Sequence, residues 1–287
     1  MRFFVFQVLN GLTTGSLLFY FASGLTVVFG LMRMLNLAHG ALFLLGGYVG
    51  YSVQMVTGNF ALATAAGAVV AGATGLVLQK TFLTTFLRST FNQVLLTLGI
   101  AFVIGNCVQW IWGSAPKTIS APAVLKGAID IFGIRYPLYR VFLIGLAVIS
   151  GAGLWIFWER SKLGAVVRAC VDDRDMAAAM GISVDRVTFT VFSIGSAVAG
   201  LTGVLGGPVI GVSIGLDFDI LLLAVVVMVV GGLGSLGGAF LASILVGLID
   251  AFGKASFPEL SYFTIFAPVI VILLVRPSGL FGKAFDE

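Results

Sequence analysis

Three stretches of this 287-residue chain carry residue types at spacings that could do chemistry. Gly232, Gly234 and Gly237 formally spell G-x-G-x-x-G, the pattern with which a strand-to-helix turn approaches a dinucleotide pyrophosphate. Asn36, His39 and Gly40 set the single histidine of the chain among turn-forming residues. Residues 159–185 form the longest polar interruption, with acids Glu159, Asp172, Asp173, Asp175 and Asp185 and bases Arg160, Lys162, Arg168 and Arg174. One histidine and scattered acids assemble neither a catalytic constellation nor a metal site. The P-loop spacing G-x-x-x-x-G-K-[ST] does not occur, so any ATP and Mg would be bound by a partner.

The composition decides which of these chemistries has a setting. The chain is 59% hydrophobic and 10% charged, against about 25% charged in soluble domains. Several uncharged runs reach or approach the roughly 20 residues that span a bilayer as helix. They lack the alternation of transmembrane β-strands. The expectation is an all-α polytopic membrane protein, one transmembrane domain over residues 1–287. Its 38 glycines suit a bundle whose helices approach closely. The net charge of +4 sits at segment ends and does not point to nucleic acid; the expected surroundings are membrane lipid. Cys107 falls in an apolar run and Cys170 in the polar stretch, which argues against a disulfide.

Nine apolar runs are legible: residues 4–31, 40–56, 60–78, 91–112, 138–158, 187–214, 220–230, 239–249 and 260–275. The first is read as a retained span, because a signal peptide has a shorter apolar core. Two short runs flank residues 231–238 and need not both cross, so eight to ten spans are expected. Residues 114–137 read as a loop. With 159–185 in the cytoplasm, Arg33, Lys80, Arg88, Arg160, Lys162, Arg168, Arg174, Arg186, Arg276 and Lys283 fall inside. Arg2, Lys117, Lys126, Arg135, Arg140 and Lys254 fall outside. That excess has the positive-inside sign, with the N-terminus outside and the C-terminus cytoplasmic.

These settings weigh the three stretches. The glycine pattern lies between membrane-apolar flanks without a βαβ unit, so a helix break or re-entrant turn is favoured over a nucleotide site. At Asn36 the favoured reading is a helix cap, with His39 bonded locally near the cytoplasmic interface; a place in a transport pathway is the alternative. In the polar stretch, Ser161 can cap a helix from residue 163 to 170 that aligns Leu163, Val166, Val167 and Cys170 on one face. Asp172 or Asp173 can cap a second helix through Met180, with Asp175 near its positive end. Gly181 suits the left-handed position after it, with Ile182 folding back, and Ser183 or Asp185 can cap the next span. Such punctuation fits a docking element better than a disordered loop, although an ordinary connecting loop stays open on these residues alone.

LGAVVRACVDDRDMAAAMGISVDRV (residues 163–187) resembles the cytoplasmic signature of permease subunits of bacterial ABC importers for branched-chain amino acids. GLTVVFGLMRMLNLAHGALFLLGGYVGY (24–51) is similar to their N-terminal signature, and GGLGSLGGAFLASILVGLID (231–250) and VRPSGLFG (275–282) to their C-terminal pattern. Related permeases for urea, short amides and aromatic acids share these motifs. The resemblance implies a transport subunit, itself not an enzyme, in the bacterial inner membrane. It implies a homologous second permease, two ATPase subunits and a periplasmic or lipid-anchored binding protein as partners. It implies that residues 163–181 couple to the ATPase, with Leu163, Gly164, Arg168, Ala169, Asp172, Asp173, Asp175, Ala178, Gly181 and Ile182 as candidates. Pathway or helix-break candidates are Asn36, His39, Gly40, Gly232, Gly234 and Gly237. A secondary transporter or channel is the rival class. It needs an ionisable group near the membrane midplane, whereas Asp217, Asp219, Asp250 and Glu259 read as lying near segment ends. A membrane enzyme would need a catalytic cluster.

Overall fold

An uncharged apolar run in lipid has no water to satisfy its backbone, and the helix satisfies it within the run. In the computed structural model, which describes residues 1–83, 90–276 and 278–281, each of the nine runs is helical. In chain order the helices are α1 (Arg2–Met32), α2 (Ala38–Thr57), α3 (Phe60–Leu78, continued by a π turn Gln79–Leu83), α4 (Thr90–Trp112) and α5 (Leu138–Arg160). Then come α6 (Lys162–Asp172), α7 (Arg174–Ala179), α8 (Val184–Ile210), α9 (Leu216–Gly231), α10 (Leu236–Ser256) and α11 (Ser261–Val275). Among the described residues, α1, α3 with its π turn, α4, α5, α8 and α10 are long and apolar enough to cross a membrane. α2, α9 and α11, of 20, 16 and 15 residues, accompany them. Arg88 and Lys283, both counted in the charge bias, lie outside the described residues, as do Pro277 and Gly282 of the closing motif.

Two connections differ from the sequence reading. α8 ends at Ile210, where Gly211 takes φ 74°, so residues 211–215 form a connection instead of a last helical turn. The loop of residues 114–137 contains a β-hairpin, β1 (Ala128–Ile131) against β2 (Ile134–Pro137), antiparallel with Ile131 opposite Ile134. Phe132 and Gly133 both have positive φ, 52° and 77°, as a two-residue primed turn requires. Asp130 accepts the Gly133 amide at 2.7 Å. The hairpin is fastened to α1 through Tyr136, whose hydroxyl lies 2.9 Å from Thr13 Oγ1 and 3.2 Å from Asn10 Oδ1; Arg140, in the first turn of α5, donates to the same Asn10 at 2.8 Å.

Backbone-to-backbone contact at glycine sets the helix arrangement. α1 packs most extensively against α10, and α3 and α2 against α8. A Cβ on Gly46 of α2 would stand 2.7 Å from the Gly200 carbonyl carbon of α8, and a Cβ on Gly15 of α1 would stand 2.7 Å from the Ser243 carbonyl oxygen of α10. No side chain fits between these helices. Around the crossings Phe21, Leu25, Leu42, Phe43, Val227 and Met228 form the largest buried cluster. Most hydroxyls in the spans bond their own helix four residues back, as Ser196 does to Phe192 and Thr202 to Val198. Ser193 reaches across to the Gly72 carbonyl at 3.0 Å.

Because overpacking a tight contact costs about 1–3 kcal/mol, Gly46→Ala is expected to lower the melting temperature of the detergent-purified protein. Gly99→Ala, where an added methyl meets open space, is expected to raise or preserve it. Equal melting of the two variants would show that the α2–α8 contact is not limiting.

Candidate functional site

The polar stretch folds as a corner of two capped helices. Ser161 Oγ accepts the Gly164 amide at 2.9 Å and starts α6. Asp173 Oδ1 accepts the Met176 amide at 2.8 Å and starts α7, with Asp175 in its first turn. Gly181 has φ 83°. Its amide bonds the Ala178 carbonyl, and that of Ile182 bonds Ala177, the paired closure of a glycine-terminated helix. α8 then begins after Ser183, which makes no side-chain cap, while Asp185 in its first turn faces Arg174 at 3.7 Å. Both partners of that pair are largely exposed, so it adds little.

The corner has two faces. Gly164, Val167, Cys170 and Ala177 turn inward, the last three packing with Leu31, Val184 and Val191. Burial pushes the Cys170 thiol up from its ordinary value, against the opposing pull of Arg174. Leu163, Ala169, Asp172, Asp173, Asp175, Ala178 and Gly181 turn outward. With them stand Met176 and Met180, 61% and 77% exposed, which the sequence reading did not single out. Arg168 does not belong to the outward group. Its guanidinium donates to the Trp158 and Glu159 carbonyls, two of the orphan acceptors at the end of α5. Gly164 sits beneath the same Trp158 carbonyl, where a Cβ would clash with its carbon at 2.9 Å. Arg33 Nη2 reaches the Val171 carbonyl at 3.4 Å, so α1, α5 and α8 all hold the corner.

The two glycine-bearing breaks lie apart. Asn36 Oδ1 accepts the Ala38 amide at 3.1 Å in a local turn just ahead of α2, whose cap position is Leu37 and not Asn36 as expected. His39 departs from expectation. Its Nε2 lies 3.3 Å from the Phe21 carbonyl of α1, its ring is stacked edge-on against Phe21, and it is fully buried. Phe21 is eleven residues before the end of α1, about 16 Å at 1.5 Å per residue. The chain therefore turns back into the bundle after Arg33, and α2 starts deep within it. A Cβ on Gly40 would meet the Asp217 carbonyl at 2.6 Å, so α9 starts at the same depth. The 232–237 turn is instead at the α6 side, where Gly234 faces Gly30 near the end of α1. Gly232 and Gly234 have positive φ, Gly237 is exposed, and Ser235 caps α10 through the Gly238 amide. The Leu280 and Phe281 amides bond the Val230 and Gly231 carbonyls, closing the turn against the C-terminal segment.

One acid, Asp250, differs in place from the sequence reading; Asp217 lies in the first turn of α9, near a segment end as read. Asp217 and Asp250 are each 3% exposed, and Asp250 lies inside α10, fifteenth of its 21 residues. Lys254, one turn on, stands 2.9 Å from Asp250. The i,i+4 spacing of Asp250 and Lys254 was a legible signal of one shared face. Both line a cavity of about 290 Å³ at the end of the bundle opposite α6, enclosed by α1, α2, α8, α9, α10 and α11.

A family model described as the permease component of the branched-chain amino acid transport system matches residues 7–274. The high-affinity branched-chain amino acid permease BraD of Pseudomonas aeruginosa is 31% identical over 96% of this chain and 95% of its own length. LivH of Escherichia coli is 28% identical over 98% and 96%, and its ribose import permease RbsC 26% over 88% and 79%. Among solved structures, PsaBC from Streptococcus pneumoniae in complex with Fab shares the fold, with TM-score 0.50, 16% identity, and coverage of 93% and 89%.

If Arg168 fastens α6, Arg168→Ala should raise amide exchange in α6 by about tenfold, the loss of about 1.4 kcal/mol, while α8 stays protected. Gly181→Ala, held left-handed at about 1 kcal/mol, should loosen α7 alone. Unchanged exchange in Arg168→Ala would show that burial of Val167 and Cys170 suffices.

Proposed function

The chain belongs to the branched-chain amino acid transport permease family, and from that membership we propose that it is the membrane subunit of an ATP-driven importer of branched-chain or similar hydrophobic amino acids. The observation that carries the ATP-driven part is the outward face of the α6–α7 corner. It combines exposed Met176 and Met180 with Ala169, Ala178 and a run of acids, on a scaffold pinned to three spans. Two short helices capped at both ends and wired to α1, α5 and α8 are suited to receive a push from a soluble partner and pass it to the bundle. The chain has no P-loop, so ATP and Mg belong to two partner ATPase subunits that this face would contact. A homologous second permease completes the pathway, and a binding protein outside delivers substrate. In this reading α6 faces the cytoplasm of a bacterial cell, the N-terminus lies outside, and the protein sits in the inner membrane.

A second reading, ion-coupled carriage without ATP, has one observation in its favour: Asp250 is an ionisable group buried inside a span, a feature of proton and sodium pathways. Its pairing with Lys254 weighs against that role, since the site is already neutral.

Reconstitution separates the two. Proteoliposomes with the partner permease, ATPase pair and binding protein should accumulate leucine only with ATP inside. Ala178→Glu, an exposed change of about 0.5 kcal/mol or less for the fold, should cut uptake about tenfold by disturbing the docking face. Uptake by this chain alone under a proton or sodium gradient would overturn the ATP-driven reading.

A further inference from the structure

Resting on that reading, we propose that the cavity at the end of the bundle opposite α6 is a recognition site for the zwitterionic head and apolar side chain of a free amino acid. Asp219 takes the ammonium group, and Lys254, held by Asp250, takes the carboxylate.

Charge of both signs stands at the rim of a mostly apolar recess, with one carboxylate buried inside it. Most of the cavity wall is apolar, with Leu18, Phe43 and Phe266 among its lining residues, yet Asp219, Asp250 and Lys254 line it too. A carboxylate buried in an apolar recess is costly unless it has a partner. Asp250 has one: its carboxylate, 4% exposed, lies 2.9 Å from the Lys254 ammonium. Lys254 is 61% exposed at its side chain, so its three-donor ammonium keeps capacity to serve a ligand. Asp219 is exposed and makes no ion pair among the described residues. The cavity thus offers one anchored cation and one unpaired anion beside an apolar wall. A monocarboxylate would leave Asp219 unanswered, and a simple amine would leave Lys254 unanswered. A sugar would bring many hydroxyls to a wall with few polar partners. An amino acid with a hydrocarbon side chain answers all three features. The volume, about 290 Å³, sits at the small end of ligand sites, about 300–1,000 Å³, and suits a ligand of that size.

The position fits a passage. The floor of the cavity includes Phe43, Leu216 and Ile220, next to the point where α2 and α9 begin inside the bundle. Asp250 is a positioning residue here: it fixes the Lys254 ammonium, one helical turn away, at the cavity wall.

The test is uptake of leucine by the reconstituted importer with Asp219→Asn and with the double variant Asp250→Asn/Lys254→Gln, which removes the buried pair as a unit. Expected is a loss of about tenfold or more in leucine uptake for both. ATP hydrolysis stimulated by the binding protein should persist in both, a readout that a merely structural defect would not spare. Normal uptake by the double variant and Asp219→Asn would overturn the site while leaving the transport reading intact. A wild-type importer that moves no leucine, isoleucine or valine would instead overturn the transport reading. Should the double variant fail to assemble, Asp219→Asn decides alone, because its side chain is exposed and holds no ion pair.

Discussion

Close approach of helix backbones at glycine is the constraint on which this bundle depends. Lipid gives no hydrophobic reward for bringing two apolar helices together, so their association rests on van der Waals contact and interhelical hydrogen bonds. Where Gly46 meets Gly200 and Gly15 meets Ser243 and Gly247, the absence of a side chain lets carbonyl and Cα atoms supply that contact. The most consequential case is α1. Gly11 and Gly15 bring α10 against its first half, and Gly24 brings the Gly195 carbonyl of α8 against its second. One helix is thereby locked to two neighbours on different faces.

That locking explains how irregular backbone survives inside the bundle. The chain between α1 and α2 turns back, and α2 starts beside Phe21. Exposed to lipid, such a segment would leave amides unpaired at several kcal/mol each. Here Asn36 takes the Ala38 amide, Thr97 of α4 takes the Leu37 amide, and the Phe21 carbonyl faces His39. Asn36 Nδ2 and His39 Nδ1 are buried without a protein partner, which leaves this break the least satisfied polar spot in the core. The start of α9 reaches the same depth because Gly40 admits the Asp217 carbonyl.

The sequence exposes periodicity and punctuation well and tertiary depth poorly. Ser161, Asp173 and Gly181 are local devices, acting within three or four residues, and their roles could be read directly. The direction of the corner could not. Whether Arg168 points to a partner or back to Trp158 depends on where α5 ends relative to α6, and the α5 carbonyls claim it. His39 was misplaced for the same reason: its partner is eighteen residues away on another helix, and no local pattern encodes a chain that turns back into the bundle. Asp250 was read as terminal because its apolar run stops there, yet α10 continues to Ser256, carried by the pairing with Lys254. The hairpin at residues 128–137 was missed although Gly133 and the alternation of Ile129, Ile131 and Ile134 with polar neighbours were visible. Proximity of prolines and charges made a loop the easier reading.

The same rod that organises the packing also runs from the corner to the cavity. At one end α1 meets the α6–α7 corner through Leu31 and Arg33; at mid-length it contributes Thr14, Leu17 and Leu18 to the charged cavity. α8 spans the same distance, from Val184 in the corner cluster to Thr202 and Ile210 at the cavity. α5, by contrast, buries little of its surface in the bundle and is tied to α6 mainly by Arg168 and Gly164. α1 and α8 are bound to each other at Gly24 and Gly195, and α10 touches α1 backbone to backbone. Were a partner to push on the corner, these contacts would offer a route to the cavity wall that needs no side-chain relay. α4 carries fewer such ties, since Gly99 and Gly105 meet open space, whereas the connection at residues 211–215 is held by the paired backbones of Lys117 and Val212.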